Sequence, residues 1–169
     1  ADLKESKTRS IEAYRDYLVE LQETSRKIIR FEKPTIAAIN GYALGSGYEL
    51  ALACDIRLMS ADCAWAMPEV KMGLIADLGG TTRLARLLGP ARAMEVLMTA
   101  NEYTAQQALD WGLISYLHPP EELLAAAEKM ARDITAAAPL AVGAFDRGVA
   151  AADLDRGHAG EGNLGAAGR

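Results

Sequence analysis

Three acidic side chains, Glu49, Glu69 and Asp77, sit where acids are unusual, each in an apolar or glycine-flanked stretch. Glu49 follows Gly45-Ser46-Gly47 on a segment that is otherwise apolar through Leu50, Leu52 and Cys54. A carboxylate on such an element is either paired, here with Arg57 or Arg83, or used in chemistry. A helix opening at the glycine turn would bring free backbone N–H groups and its positive dipole end within one turn of Glu49. Donors of that kind stabilise negative charge growing on a carbonyl oxygen, by about 3 kcal/mol each. Glu69 follows Trp65-Ala66-Met67-Pro68 and reads either as an ordinary helix start or as a second acid in the same cleft. Asp77, in Gly73-Leu-Ile-Ala-Asp-Leu-Gly-Gly80, is either a turn residue or a third. Their spacing excludes a single helix face, so convergence requires the intervening strand to bring the chain back. Two carboxylates sharing a cleft have their pKa values pushed apart, leaving one as base and one as acid. Such a pair can add or remove water across a double bond, or move a proton along an acyl chain, beside an activated carbonyl.

The elements that must position these acids follow from periodicity. Ile11, Tyr14, Leu18, Leu21, Ile28, Ile29 and Phe31 mark one face of an amphipathic helix over residues 9–31. Thr35 to Ile39 is a short β-branched, apolar run after Pro34, which predicts a strand covered on both faces. Asn40-Gly41 turns the chain, and Tyr48 to Cys54 is a short buried helix. Asp55 to Met59 alternates as a second strand. Gly79-Gly80 precedes a helical run through Leu88, stopped by Gly89-Pro90, and another helix runs from Ala91 to Thr99, buried on Met94, Leu97 and Met98. Thr104 caps a third helix, Ala105 to Trp111, ended by Gly112. Leu113 to Leu117 is a strand, followed by helices from Glu121 to about Ala137 and from Leu140 to about Ala151. Strands alternating with helices predict an α/β layered fold with parallel pairing and a helix-rich C-terminal half. The segment from Arg156 to Arg169 has five glycines and no apolar period, so it reads as a flexible tail.

Composition narrows the partners. With 23 acidic against 18 basic residues and no basic cluster, the chain is not built for nucleic acid or an anionic membrane surface. No stretch approaches the roughly 18 uninterrupted apolar residues of a membrane span. Cys54 and Cys63 have no metal-ligand or redox spacing, which points to a reducing, cytoplasmic setting. No metal site is visible. His118 precedes Pro119-Pro120 on the surface and His158 lies in the tail, so neither forms a Ser-His-Asp hydrolase. Arg83, Arg86 and Arg92 read as a solvated face, with part of an anion site as the other reading. A nucleotide-binding domain lacks its Gly-x-Gly-x-x-Gly in the right setting.

The run from Lys33 to Leu50, with Ala51, Cys54-Asp55-Ile56, Pro68-Glu69-Val70, Gly73-Leu74, Gly79-Gly80-Thr81 and Thr99 to Leu113, resembles the crotonase family of enoyl-CoA hydratases and isomerases. Ala1-Asp2-Leu3-Lys4-Glu5 is similar to the end of an earlier Gly-Ala-Asp loop of that family. The resemblance implies a crotonase-like spiral of ββα units, present in part: a core over residues 1–150, with 151–169 a tail or a truncated helical region. It implies that the chain is a fragment without the start of the spiral and the C-terminal helices.

By position, the resemblance makes the N–H groups of Ala1 and Ser46 the oxyanion donors, with Ser46 standing where the family usually has glycine. Ala1, Asp2, Leu3, Tyr42, Leu44, Gly45, Ser46, Pro68 and Leu74 would contact substrate, and Tyr48, Trp65 and Met67 would contribute to the acyl pocket wall. Glu49 and Glu69 match the two hydratase glutamates, Glu49 helping to activate water and Glu69 delivering the proton to C2. Ala76-Asp77 stands where hydratases usually carry Pro-Gly, and resembles dienoyl-CoA isomerases, in which an acid here works opposite the one at 69. Hydration of a trans-2-enoyl-CoA is the first reading, enoyl- or dienoyl-CoA isomerisation the second, and a non-catalytic acyl-CoA-binding fragment the third. Coenzyme A enters as part of the substrate rather than as a cofactor, and the expected assembly is a homotrimer or dimer of trimers.

Overall fold

The first helix, α1 (Ile11–Ile29), starts at Ser10, whose hydroxyl accepts a hydrogen bond from the Ala13 N–H at 3.2 Å. The computed structural model describes residues 8–145 together with 148 and 149. The tail beyond, and residues 1–7, lie outside the described residues. After α1 come strands β1 (Ile36–Ile39) and β2 (Ala43–Leu44), helix α2 (Ser46–Ala53), and strands β3 (Ile56–Ser60) and β4 (Ala64–Ala66). A 3₁₀ turn over Glu69–Met72 leads to helices α3 (Gly80–Leu88) and α4 (Pro90–Thr99), then β5 (Glu102–Thr104), α5 (Ala105–Asp110), β6 (Tyr116–His118) and α6 (Leu123–Thr135).

Two three-stranded sheets carry the site. The first has the order β1-β3-β6 and is parallel throughout, with Ile36 opposite Ile56 and Leu58 opposite Tyr116. Its register is pinned at one end by Asp55, whose carboxylate accepts from the Thr35 N–H and hydroxyl, both at 2.6 Å. Successive side chains of a strand point to opposite faces. Ile36, Ala38, Ile56 and Leu58 therefore pack with Leu123, Ala127 and Met130 of α6, while Ala37, Ile39 and Met59 join the main core. The apolar run at Thr35–Ile39 is covered on both faces for this reason.

The second sheet, β2-β4-β5, departs from the expected pairing: β2 and β4 are parallel but β4 and β5 are antiparallel. Trp65 of β4 is at its centre, stacked on Tyr48 of α2 at 4.6 Å between ring centroids and on Tyr103 of β5 at 5.0 Å. Trp111 meets Trp65 edge-on at 6.1 Å. Tyr48, Trp65 and Met67 are wholly buried in this core. They are therefore packing behind the site rather than an open pocket wall.

Other elements correct the sequence reading in detail. On α4 the buried residues are Ala93 and Val96, whereas Met94 and Met98 are mostly exposed, because the small side chains face the neighbouring α3. On α1 the buried residue is Ser25; Ile11, Ile29 and Phe31 at its ends remain exposed. Leu113 and Ile114 are buried in the approach to β6 rather than within it.

Candidate active site

Gly45 makes the site possible. Its N–H donates to the Ala66 carbonyl at 2.9 Å, which hooks the turn to β4, and its φ of +52° and ψ of −122° suit glycine alone. A Cβ on Gly45 would fall 2.5 Å from Oε1 of Glu69. Helix α2 starts directly after it, and its first bond runs from the Glu49 N–H to the Gly45 carbonyl at 2.9 Å. The N–H groups of Ser46, Gly47 and Tyr48 thus precede the helical ladder, and no side chain among the described residues caps them.

Glu49 is 1% exposed. It has no ion pair with Arg57 or Arg83, contrary to the pairing considered from sequence. The Arg57 guanidinium donates instead to the carbonyls of Leu113 and Cys54, at 2.7 and 2.6 Å. Oε1 of Glu49 accepts from the backbone N–H of Leu78 at 2.9 Å and of Gly80 at 2.8 Å. Gly80 has no room for a side chain, since a Cβ there would sit 2.8 Å from both Oε1 of Glu49 and Cε of Met67. Burial pushes the Glu49 carboxyl up to about 7; the Gly80 N–H opposes this, the charge of Glu69 adds to it, and Leu78 and Asp77 contribute less.

Glu69 opens the 3₁₀ turn and is also buried. Its Oε2 has no protein hydrogen-bond partner among the described residues. Burial raises its pKa, its own backbone N–H eases the shift, and the charge of Asp77 adds to it. Asp77 is half-buried in the loop before Leu78 and acts electrostatically on both glutamates. The fold therefore brings the three acids and the start of α2 into one neighbourhood, although they span 29 positions of sequence. Leu74 lies beside Glu69, its N–H donating to the Glu69 carbonyl at 3.0 Å. Pro68 and Ser46 are half-buried, while Tyr42, Leu44 and Leu74 are exposed. Ala1, Asp2 and Leu3 lie outside the described residues. No group of three or more potential metal ligands occurs among the described residues.

Sequence reasoning missed the two N–H donors to Glu49, and it took Arg83 for an ion-pair partner of Glu49 or a residue of a solvated face. The signal available was the Gly79-Gly80 pair, which it read as a helix boundary, a flank of the Asp77 loop and part of the family pattern, and not as a close approach to Glu49. Arg83 is not on a solvated face: its Nη1 donates to the Leu78 carbonyl at 2.7 Å.

Residues 1–160 match the family model described as enoyl-CoA hydratase/isomerase. The chain belongs to the enoyl-CoA hydratase/isomerase family. Among curated relatives, the carnitinyl-CoA dehydratase of Salmonella arizonae is 43% identical over 119 residues, which is 70% of this chain and 46% of that protein. The enoyl-CoA hydratase of Bacillus anthracis superposes with a TM-score of 0.86 at 36% identity, over 88% of this chain and 58% of its own. DspI of Pseudomonas aeruginosa does so at 0.86 and 32%, over 90% and 58%. The chain spans about half the length of the curated relatives it matches. The fold is that of enoyl-CoA hydratases, and no helix among the described residues is long and apolar enough to cross a membrane.

Proposed function

We propose that the chain carries the water-handling half of an enoyl-CoA hydratase, acting on a 2-enoyl- or 3-hydroxyacyl-CoA thioester in either direction. The observation that supports this reading is the pair of buried carboxyls, Glu49 and Glu69, beside the free N–H groups at the start of α2. The Ser46 N–H, with a second donor from Ala1, would hold the thioester oxygen and stabilise the enolate. Glu49, titrating near neutrality, takes a proton from water as its oxygen attacks C3. Glu69, whose raised pKa lets it carry a proton, delivers that proton to C2. Dehydration runs through the same groups in reverse. No cofactor enters these steps; coenzyme A is the handle of the substrate.

Asp77 favours one other reading. Its charge reaches both glutamates, so Glu69 and Asp77 could relay a proton along a dienoyl chain instead. The two are separated by following loss of the enoyl-thioester absorbance with crotonyl-CoA beside double-bond migration with a 3,5-dienoyl-CoA. Glu49→Gln and Glu69→Gln are each expected to abolish hydration, with Asp77→Asn tolerated. Migration that depends on Glu69 and Asp77, with little hydration, would establish the isomerase instead. Retained CoA binding without turnover of either thioester would leave a binding module.

The assembly we favour is a homotrimer or dimer of trimers, in keeping with exposed Met94, Met98 and Leu124; a monomer in sedimentation would exclude it. The unpaired thiols Cys54 and Cys63 favour a cytoplasmic setting.

A further inference from the structure

We propose that Arg83, together with Ser25, is a positioning residue for Glu49: the two hold the Leu78 carbonyl and so aim the Leu78 and Gly80 N–H groups at the carboxyl. This rests on the reading of Glu49 as the group that handles the proton of water.

The geometry converges on one oxygen. The Leu78 carbonyl lies between the two peptide units whose N–H groups bond Glu49 Oε1 at 2.9 and 2.8 Å. It accepts from Arg83 Nη1 at 2.7 Å and from the Ser25 hydroxyl at 3.1 Å. Arg83 Nη2 donates in turn to Ser25 Oγ at 3.4 Å, which closes a triangle between α1, α3 and the loop. The guanidinium lies directly against Gly79, where a Cβ would fall 2.8 Å from Cζ. Gly79 also has a φ of +100°, so both its conformation and its bareness serve this contact. Ser25 is the buried residue of the 19-residue α1, so its burial is not a by-product of an apolar face.

The electrostatics assign this triangle its effect. Among the described residues, the charged groups acting on Glu49 are Glu69, from the turn after β4, and Asp77, from the loop; both disfavour its carboxylate. The groups that favour the carboxylate are the Gly80 and Leu78 N–H donors. Arg83 faces α3's side of the loop and bonds the Leu78 carbonyl, so it acts on Glu49 through those donors. Releasing the carbonyl lets two N–H bonds drift from linearity, and the carboxyl then binds its proton more tightly.

The test is a carbon-13 titration of the 169-residue chain labelled at glutamate Cδ, with the Glu49 resonance assigned by Glu49→Gln. Arg83→Met is expected to raise the Glu49 midpoint by about half to one pH unit, and Ser25→Ala by less. Arg83→Lys, which keeps one donor, should recover part of the shift. An unchanged midpoint in folded Arg83→Met, whatever its melting temperature, overturns the proposal. If circular dichroism shows Arg83→Met unfolded, Ser25→Ala decides, and an unmoved midpoint there overturns it equally. Crotonyl-CoA turnover is measured separately on the wild type. A shifted midpoint without any turnover would sink the hydratase reading and leave the positioning device standing. With turnover, the limb of the kcat/KM profile that reports Glu49 should move alkaline by the same amount as the titration.

Discussion

A carboxyl that titrates near neutrality inside a fold burdens that fold whenever it is ionised. The Glu49 pKa is raised from 4.5 to about 7. Between those two pH values the folded chain holds a proton that the unfolded chain has released, so stability falls as pH rises through that window. Glu49→Gln removes the burden while its side-chain oxygen still accepts from Leu78 and Gly80. We expect urea melts at pH 8 to find Glu49→Gln more stable than the wild type by about 2 kcal/mol, the difference closing towards pH 4.5. The same variant should lose hydration by roughly two to four orders of magnitude. Glu49 stood out in the sequence because charge is costly on an apolar element, whereas Glu69, after a proline, read equally as a helix start and was singled out by the family pattern. The partners of Glu49 were not legible, because a backbone N–H has no residue type, and any residue at 78 would supply one. Arg83 was misread for a related reason: helical periodicity says which face a residue starts from, not that a long side chain will bend back over a glycine.

Elements were legible where a side chain or a missing one marks their ends. Helix α5 begins at Thr104, whose hydroxyl accepts from the Gln107 N–H while the Gln107 side chain accepts from the Thr104 N–H. Thr104→Ala is expected to lower stability by about 1 kcal/mol in a chemical melt and to leave any turnover unchanged, since α5 packs against β5 and β6 and supplies neither N–H donor to Glu49. Helices α2, α3 and α4 were bounded by glycines and Pro90 in the same way. Strands β2 and β5 escaped notice because two or three residues are too few to show an alternation. The antiparallel β4-β5 pair was lost with them. The buried face of α4 was assigned to its largest apolar side chains; close approach to α3 instead selected Ala93 and Val96.

At the scale of the whole molecule, α6 seals one face of the parallel sheet in a cluster separate from the main core. Leu123, 2% exposed, is the most deeply buried α6 side chain in that seal. Leu123→Ala should cost about 3 kcal/mol, read as a lower midpoint in urea, with the Glu49 titration unmoved in the protein that remains folded. The α/β class followed from alternating periods, and the convergence of three distant acids followed from the family pattern rather than from any local rule. The helices α1 and α4 keep apolar side chains exposed among the described residues, and the sequence, read one segment at a time, had assigned them to a core. The stacked rings behind Glu49 have a practical consequence. Trp65 and Trp111, the two tryptophans of the chain, lie edge to face at 6.1 Å, with Tyr48 and Tyr103 against Trp65. Their electronic transitions must mix at such separations, so the near-ultraviolet dichroism of this protein is an optical gauge of the wall that backs the buried Glu49 carboxyl.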